Sequence, residues 1–156
     1  MTFANSVRFA AALATMKNVD GYSAAGAASK TTFHREGKKF LKELAAALGT
    51  LGAFTVRSNL AGIAVSGEVT LHADHIYITL SEGYPQPGIT MMYRSCKSQK
   101  DYTGGHNNFV SMAKFGDYEE QQRILRNLRS IIGAEIARKE QAAASKAPGK
   151  VAVNAA

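Results

Sequence analysis

Between residues 63 and 80 the chain alternates apolar and polar side chains with the period of two that is typical of half-buried β-strands. In residues 63–72 the apolar positions are Ile63, Val65, Val69 and Leu71, and the polar ones are Ser66, Glu68, Thr70 and His72. Residues 75–80 repeat the pattern, with Ile76, Ile78 and Leu80 on one face and His75, Tyr77 and Thr79 on the other. The two segments therefore predict a pair of adjacent strands with one apolar face.

The residues between these strands indicate how the strands pair. Only Ala73 and Asp74 separate them, and a two-residue hairpin loop would fix the register. That register sets Leu71 opposite Ile76, Val69 opposite Ile78, His72 opposite His75, Thr70 opposite Tyr77 and Glu68 opposite Thr79. Because Ala-Asp is not a preferred sequence for such a turn, a longer loop stays open as an alternative.

Two further segments extend the predicted sheet. Residues 83–88 contain two prolines and two glycines and predict a turn. Residues 89–96 follow as a strand in which neither face is clearly apolar, and residues 54–57 form a plausible first strand. The pattern predicts an antiparallel meander of three or four strands.

Helices are predicted on both sides of this meander. In residues 33–48 one apolar stripe contains Phe33, Phe40, Leu41, Leu44 and Leu48, with Thr31 or Thr32 as the cap and Gly49 as the end. In residues 117–140 the stripe contains Ile124, Leu125, Leu128, Ile131, Ile132 and Ile136, and Asp117 is the expected N-cap. We therefore predict one α+β domain, residues 31–140, with both helices packed on one face of the sheet. The other face stays open and polar, with Glu68, Thr70, His72, His75 and Tyr77 among its residues.

The flanking segments differ in composition from this domain. Residues 1–30 predict a helical arm followed by a flexible linker, and residues 141–156 form a tail rich in alanine and lysine that cannot fold alone. Such ends suggest that they order against a neighbouring subunit, so a homo-oligomer is possible.

Composition narrows the classes of function. The 156 residues carry a formal charge of +7, with a single cysteine and no apolar run of transmembrane length. One cysteine excludes an internal disulfide framework. The sequence shows no cofactor motif, and we expect no cofactor, no membrane and a cytoplasmic location. The positive charge favours nucleic acid or an acidic protein surface as partner, although charge for solubility alone is the competing interpretation.

Two surfaces concentrate the candidate binding residues. The first is a stripe on the first helix formed by Arg35, Lys38, Lys39 and Lys42. The second is the polar loop at residues 97–108, which offers Lys97, Lys100, Tyr102, Gly104, Gly105 and His106. Long loops in compact domains are often functional, and successive glycine amides can hold an anion.

Candidate chemistry is sparse. His72 and His75 are the metal or acid–base candidates, with Glu68 as a further ligand, but paired surface histidines beside a turn are more often only that. Cys96, His106 and Asp101 are the candidate nucleophile, base and orienting acid, although their spacing matches no cysteine-enzyme signature.

The order helix, strands, helix resembles that of a double-stranded-RNA-binding domain. That family opens its last helix with lysines, where this chain has Asp117, Glu119 and Glu120, so its RNA-contacting residues are not carried over. The segments GIAVSGEVTLHADHIYITLSEG and MYRSCKSQKDYTGGHNN, within residues 33–110, resemble uncharacterised small proteins of tailed bacteriophages. This resemblance implies a phage or mobile-element origin and, for a phage protein, a location in the host cytoplasm. It supplies no activity.

These observations predict a small, basic, non-enzymatic binding protein that acts on nucleic acid or on a nucleic-acid-processing complex. A structural or assembly subunit of a homo-oligomer or virion is the alternative. A Cys/His-dependent enzyme is the second alternative.

Overall fold

The computed structural model describes residue 8 and residues 23–49, 51–62, 65–82 and 88–146. The described chain has an α+β fold in which one long helix precedes and another follows a five-stranded antiparallel sheet. Its elements are α1 (Ala24–Leu48), β1 (Phe54–Asn59), β2 (Glu68–Ala73), β3 (Ile76–Glu82), β4 (Ile89–Ser95), β5 (Asn108–Ser111), a 3-10 helix (Met112–Gly116) and α2 (Tyr118–Lys146).

The sheet is a simple meander, with its strands hydrogen-bonded in the order β1-β2-β3-β4-β5. The predicted antiparallel meander is confirmed, but it has one strand more than the three or four expected. The additional strand, β5, pairs with β4 so that Val110 lies opposite Met91 and Phe109 opposite Met92. The strand was missed because it has only four residues, at the end of a polar loop.

The predicted register of the β2–β3 hairpin is wrong by two residues. Leu71 pairs with Ile78, Val69 with Leu80 and His72 with Tyr77. The turn consists of Asp74 and His75, because β2 ends at Ala73 and β3 begins at Ile76. It keeps the predicted length of two residues but lies one residue later than Ala73-Asp74. Because side chains alternate with a period of exactly two residues, a shift of two preserves which residues share a face.

Both helices pack on one face of the sheet and close a single core. Helix α1 lies over β1 and β2, and α2 lies over β3 and β4. The core includes the predicted stripe of α1 together with Val69, Leu71, Ile76, Ile78, Leu80, Met91 and Tyr93 from the sheet. Gly37 lets α1 pack tightly on the sheet, since a Cβ there would lie only 3.1 Å from Val69 Cγ2. In β4 the core face is thus Ile89, Met91 and Tyr93, which the sequence pattern left open.

Both helices are longer than predicted. Helix α1 begins after Ser23, whose hydroxyl accepts a hydrogen bond from the amide of Gly26 at 2.9 Å. Thr31 and Thr32 are not caps, because they lie within the helix and donate their hydroxyls to the carbonyls of Ala27 and Ala28. Residues 24–30, assigned to the arm and linker, are therefore helical, as are residues 141–146 of the predicted tail. Apart from residues 8 and 23, the rest of both flanks lies outside the described residues.

The predicted N-cap of α2 and the predicted C-terminal end of α1 are both confirmed. Asp117 accepts a hydrogen bond from the amide of Glu120 at 2.9 Å, and Gly49 ends α1 in a left-handed conformation. In the described part of the chain, neither helix contains a stretch long and apolar enough to cross a membrane.

Candidate functional site

A basic groove runs along the outer surface of α1. It is lined by Thr31, His34, Arg35, Lys38, Lys39, Lys42 and Leu60, and its volume is about 430 Å³. Helical periodicity places the four cations together, because positions three, four and seven residues apart lie on one side of a helix. All four are exposed, and no acidic side chain among the described residues lines the groove. We call this feature the basic groove.

One carboxylate lies beside the basic groove and organises part of it. Glu36 accepts from Arg35 Nε at 2.9 Å and lies 3.5 Å from Lys39 Nζ. The Arg35 hydrogen bond is the main reason that the pKa of Glu36 is lowered. In the part of the chain that the structure describes, no ion pair involves Lys38 or Lys42. Among the described residues, the lining of the groove carries four cations and no carboxylate, so the groove is positive.

His34 forms the buried wall of the basic groove. Its side chain is only 5% exposed, and Nε2 lies 2.7 Å from the carbonyl oxygen of Ser66, so Nε2 carries the proton and donates. Nδ1 has no hydrogen-bond partner among the described residues. Burial lowers the pKa of His34, with Lys30 and Lys38 adding to the effect and the Ser66 hydrogen bond opposing it. His34 is therefore neutral at pH 7.

A cleft occupies the sheet face that no helix covers. Residues 97–107 fold over one end of that face, and the resulting cleft has a volume of about 500 Å³. Its lining comes from four strands and the loop: Glu68, Tyr77, Thr79, Ser81, Met92, Arg94, Tyr102, Thr103, Gly105, Asn107 and Phe109. We call this feature the open-face cleft.

Arg94 fastens the loop to the sheet. It lies opposite Tyr77 in the sheet, and its guanidinium carbon is 4.7 Å from the centre of the Tyr77 ring, a cation–π geometry. The same guanidinium donates to the backbone carbonyls of Tyr102 and Gly104. Arg94 is 7% exposed, so this cation is buried by the loop that it holds.

His72 makes a second attachment between the sheet and the loop. Its Nε2 donates to the carbonyl of Ser98 at 3.0 Å, and its ring meets the rings of Tyr77 and Tyr102 at 4.9 and 5.0 Å between centroids. Burial lowers the pKa of His72, partly offset by the Ser98 hydrogen bond. His72 is therefore a buried structural group on this face.

Asp101 holds the loop itself in shape. Its carboxylate accepts from the backbone amides of Lys97 at 2.8 Å and of Thr103 and Gly104 at 3.0 Å each. These hydrogen bonds, that of Lys97 first, hold the pKa of Asp101 at about 2. Gly105 completes the turn with φ of +83°, and a Cβ there would lie 2.5 Å from the Ser95 carbonyl oxygen.

The structure does not bring His72 and His75 together as a metal pair. His72 lies opposite Tyr77, whereas His75 lies in the turn, where its Nδ1 accepts from Lys139 of α2 at 3.0 Å. Burial, then Lys139, lowers the pKa of His75. Of the other residues predicted on the open face, Glu68, Thr70 and Tyr77 share it with His72. Across the described ranges, no group of three or more His, Cys, Asp and Glu could hold a metal ion.

The predicted cysteine arrangement is not assembled either. Cys96 is 1% exposed, its thiol donates to the Ala73 carbonyl at 3.2 Å, and burial raises its pKa to about 11. A thiol with such a pKa supplies almost no thiolate at neutral pH. Asp101 directs its oxygens at its own loop, and within the described residues no hydrogen bond joins the exposed His106 to Cys96 or Asp101.

The other predicted binding residues divide between the two features. Arg35, Lys38, Lys39 and Lys42 line the basic groove, while Tyr102 and Gly105 line the open-face cleft. Lys97 and Lys100 are exposed on the loop beside it, and Gly104 supplies a carbonyl to Arg94.

The sequence placed Thr79 on the polar face, but it did not identify six other residues of the cleft lining as candidates: Ser81, Met92, Arg94, Thr103, Asn107 and Phe109. The useful signal was in β4, where Met92 and Arg94 alternate with the apolar positions Met91 and Tyr93.

Comparison with known proteins adds no relative: no protein-family model, no curated protein and no solved structure matches this chain.

Proposed function

We propose that this protein binds nucleic acid without catalysis, and that the basic groove on α1 holds the phosphate backbone. The observation that carries the proposal is the line of Arg35, Lys38, Lys39 and Lys42 along a groove whose lining, in the described part of the chain, contains no acidic side chain. Phosphates are the usual partners of such clusters, because each lysine or arginine that contacts one releases a condensed counterion.

The dimensions of the basic groove suit a polynucleotide backbone. Residues 35 and 42 are seven positions apart, which corresponds to about 10 Å along a helix that rises 1.5 Å per residue. A nucleic-acid strand carries one charge about every 3.4 Å of duplex axis. The groove therefore spans roughly three phosphates of one strand. This estimate supports a contact with several neighbouring phosphates over a contact with a single anion.

Lys38 and Lys42 are the expected principal contacts. Arg35 and Lys39 already interact with Glu36, so a phosphate must compete with that carboxylate for them. Lys38 and Lys42 have no ion pair in the described part of the protein and are exposed one turn apart. Their ammonium groups are flexible point charges, and they suit contacts that follow the backbone with no preference for sequence.

A phage origin, as the sequence resemblance implies, fits this proposal, because a small basic protein of that kind would meet nucleic acid in the host cytoplasm. The proposal does not depend on that origin.

The test is a titration of fluorescently labelled duplex and single-stranded oligonucleotides, read by anisotropy over a salt series. We expect affinity to fall steeply with salt, with a slope of about 0.7–0.9 per phosphate neutralised on a log–log plot. No binding at low salt would contradict the proposal and leave the charge as a feature of solubility.

A further inference from the structure

The open-face cleft has the size and composition of a small-molecule site. Its volume of about 500 Å³ lies within the range of about 300–1,000 Å³ that such sites occupy. It is concave because the loop rises above the sheet, and that loop is held by Arg94, His72 and Asp101. The cleft is therefore a preformed feature of the fold and does not need a ligand to create it.

The cleft presents aromatic surface to solvent. Phe109 is 69% exposed, although it lies on the sheet beside Met92, and Tyr102 is 58% exposed. The Tyr102 ring is held in place, with its centroid 5.0 Å from that of His72 and 6.4 Å from that of Tyr77. Exposed aromatic rings on a rigid surface are the usual platforms on which planar heterocycles stack.

The floor of the cleft contains an unsatisfied polar group. Thr79 is 5% exposed and lines the cleft, yet its hydroxyl has no hydrogen-bond partner among the described residues. A buried hydroxyl without a hydrogen-bond partner destabilises the folded protein, and in native proteins such a group often has a functional role or binds a water, an ion or a ligand. Glu68 adds a carboxylate to the lining, which accepts hydrogen bonds from N–H groups.

From these three features we infer that the open-face cleft binds one unpaired nucleobase. The flat face of a nucleobase can stack on the ring of Phe109 or Tyr102. Its edge can donate hydrogen bonds to Glu68 and can donate to or accept from the Thr79 hydroxyl. The base comes either from a bound single strand or from a free nucleoside. A base from a bound single strand rests on the proposed function. In that case the exposed Lys97 and Lys100 of the same loop would contact the phosphates that flank the base. Binding of a free nucleoside does not depend on the proposed function.

The experiment has one arm for each source and one matched control. In the first arm, each of the four ribonucleosides is added to the ¹⁵N-labelled full chain, and amide resonances are followed by NMR. In the second, anisotropy compares a single strand with its duplex. Both arms use the wild type, Phe109→Ala, Thr79→Val and the control Tyr118→Ala, which removes an aromatic ring that is 72% exposed and does not line the cleft.

We expect nucleosides to shift the amides of Thr103, Gly105 and Phe109 in the wild type and in Tyr118→Ala, and to shift them much less in Phe109→Ala. If a strand supplies the base, Phe109→Ala weakens single-strand binding by at least about fivefold. Duplex binding stays unchanged, because paired bases already stack. Thr79→Val weakens nucleoside binding severalfold while its circular dichroism stays native, since valine is close to threonine in shape.

Two further outcomes distinguish the nucleobase site from the proposed function. Nucleoside-induced shifts without any oligonucleotide binding identify a free nucleoside as the source and contradict the proposed function alone. If strands bind but no nucleoside shifts the cleft, and Phe109→Ala binds single strands as tightly as Tyr118→Ala does, the base site is overturned and the proposed function stands.

Discussion

Arg94 and Tyr77 lie opposite each other on β4 and β3, with the guanidinium carbon of Arg94 4.7 Å from the centre of the Tyr77 ring. This pair joins the open face of the sheet to the loop at residues 97–107, because the same guanidinium donates to the carbonyls of Tyr102 and Gly104. The position of the loop therefore depends on the Arg94 guanidinium, which the folded loop itself buries.

Replacing Arg94 by methionine is expected to lower the free energy of unfolding by about 2–4 kcal/mol, because hydrogen bonds from a charged donor are lost and two carbonyls lose their partner. Arg94→Lys is the matched variant. It keeps the charge over Tyr77 but not the forked donors, so an intermediate loss is expected. Urea denaturation measures both, and equal stability of the wild type and Arg94→Met would contradict this role.

Asp101→Ala is expected to destabilise the protein by about 1–3 kcal/mol, since three backbone amides lose their acceptor. Asparagine at the same position keeps one acceptor oxygen and should recover part of the loss. Amide hydrogen exchange at Thr103 and Gly104 should become faster in Asp101→Ala. Unchanged exchange there would mean that the carboxylate does not order the loop.

Stability should rise with pH between about 5 and 7. Burial lowers the pKa of His34, His72 and His75 below the ordinary value of 6.5. Below that value the unfolded chain binds protons that the folded chain resists, so falling pH favours unfolding. The lowered pKa of Asp101 acts in the same direction at lower pH, where stability is lost as pH falls from about 4 through about 2. Thermal denaturation across pH 5–8 checks the histidine effect, and a midpoint that is highest at pH 5 would contradict it.

Gly105→Ala and Gly133→Ala should change stability in opposite directions. Gly105 has φ of +83°, and a Cβ there would collide with the Ser95 carbonyl, so we expect a loss of about 1–3 kcal/mol. Gly133 lies within α2 with open space around it, so alanine should stabilise that helix by about 0.5–1 kcal/mol. Denaturation midpoints of the two variants test the pair, and a stable Gly105→Ala protein would show that the turn is not constrained.

The sequence predicted which face of the sheet the helices cover, but it misplaced the hairpin register and the start of α1. The alternation of Val69, Leu71, Ile76, Ile78 and Leu80 identified the buried face, because burial of one sheet face enforces a period of two. The hairpin register was wrong because the two-residue turn is Asp74-His75, one residue later than the Ala73-Asp74 turn that the alternation suggested. The start of α1 was misplaced because Thr31 and Thr32 satisfy the usual cap pattern but bond back to the preceding turn.

The two candidate sites differed in how far they were predictable. The line of cations in the basic groove follows from helical geometry alone, because Arg35, Lys38 and Lys42 lie on one side of any helix that contains them. The open-face cleft does not, since it depends on how residues 97–107 fold across β3 and β4. That packing is set by Arg94 and Asp101, and no local pattern identifies their distant partners.

The most direct test of the central claim compares two double variants of equal charge by anisotropy over a salt series. Lys38→Gln/Lys42→Gln removes two cations that line the basic groove, and Lys114→Gln/Arg126→Gln removes two exposed cations that do not. We predict that the groove variant weakens oligonucleotide binding and lowers the salt slope by about 2, roughly 1 per cation, while the control variant stays close to the wild type. Equal effects of the two variants would contradict the account, because binding would then reflect net charge and not the groove.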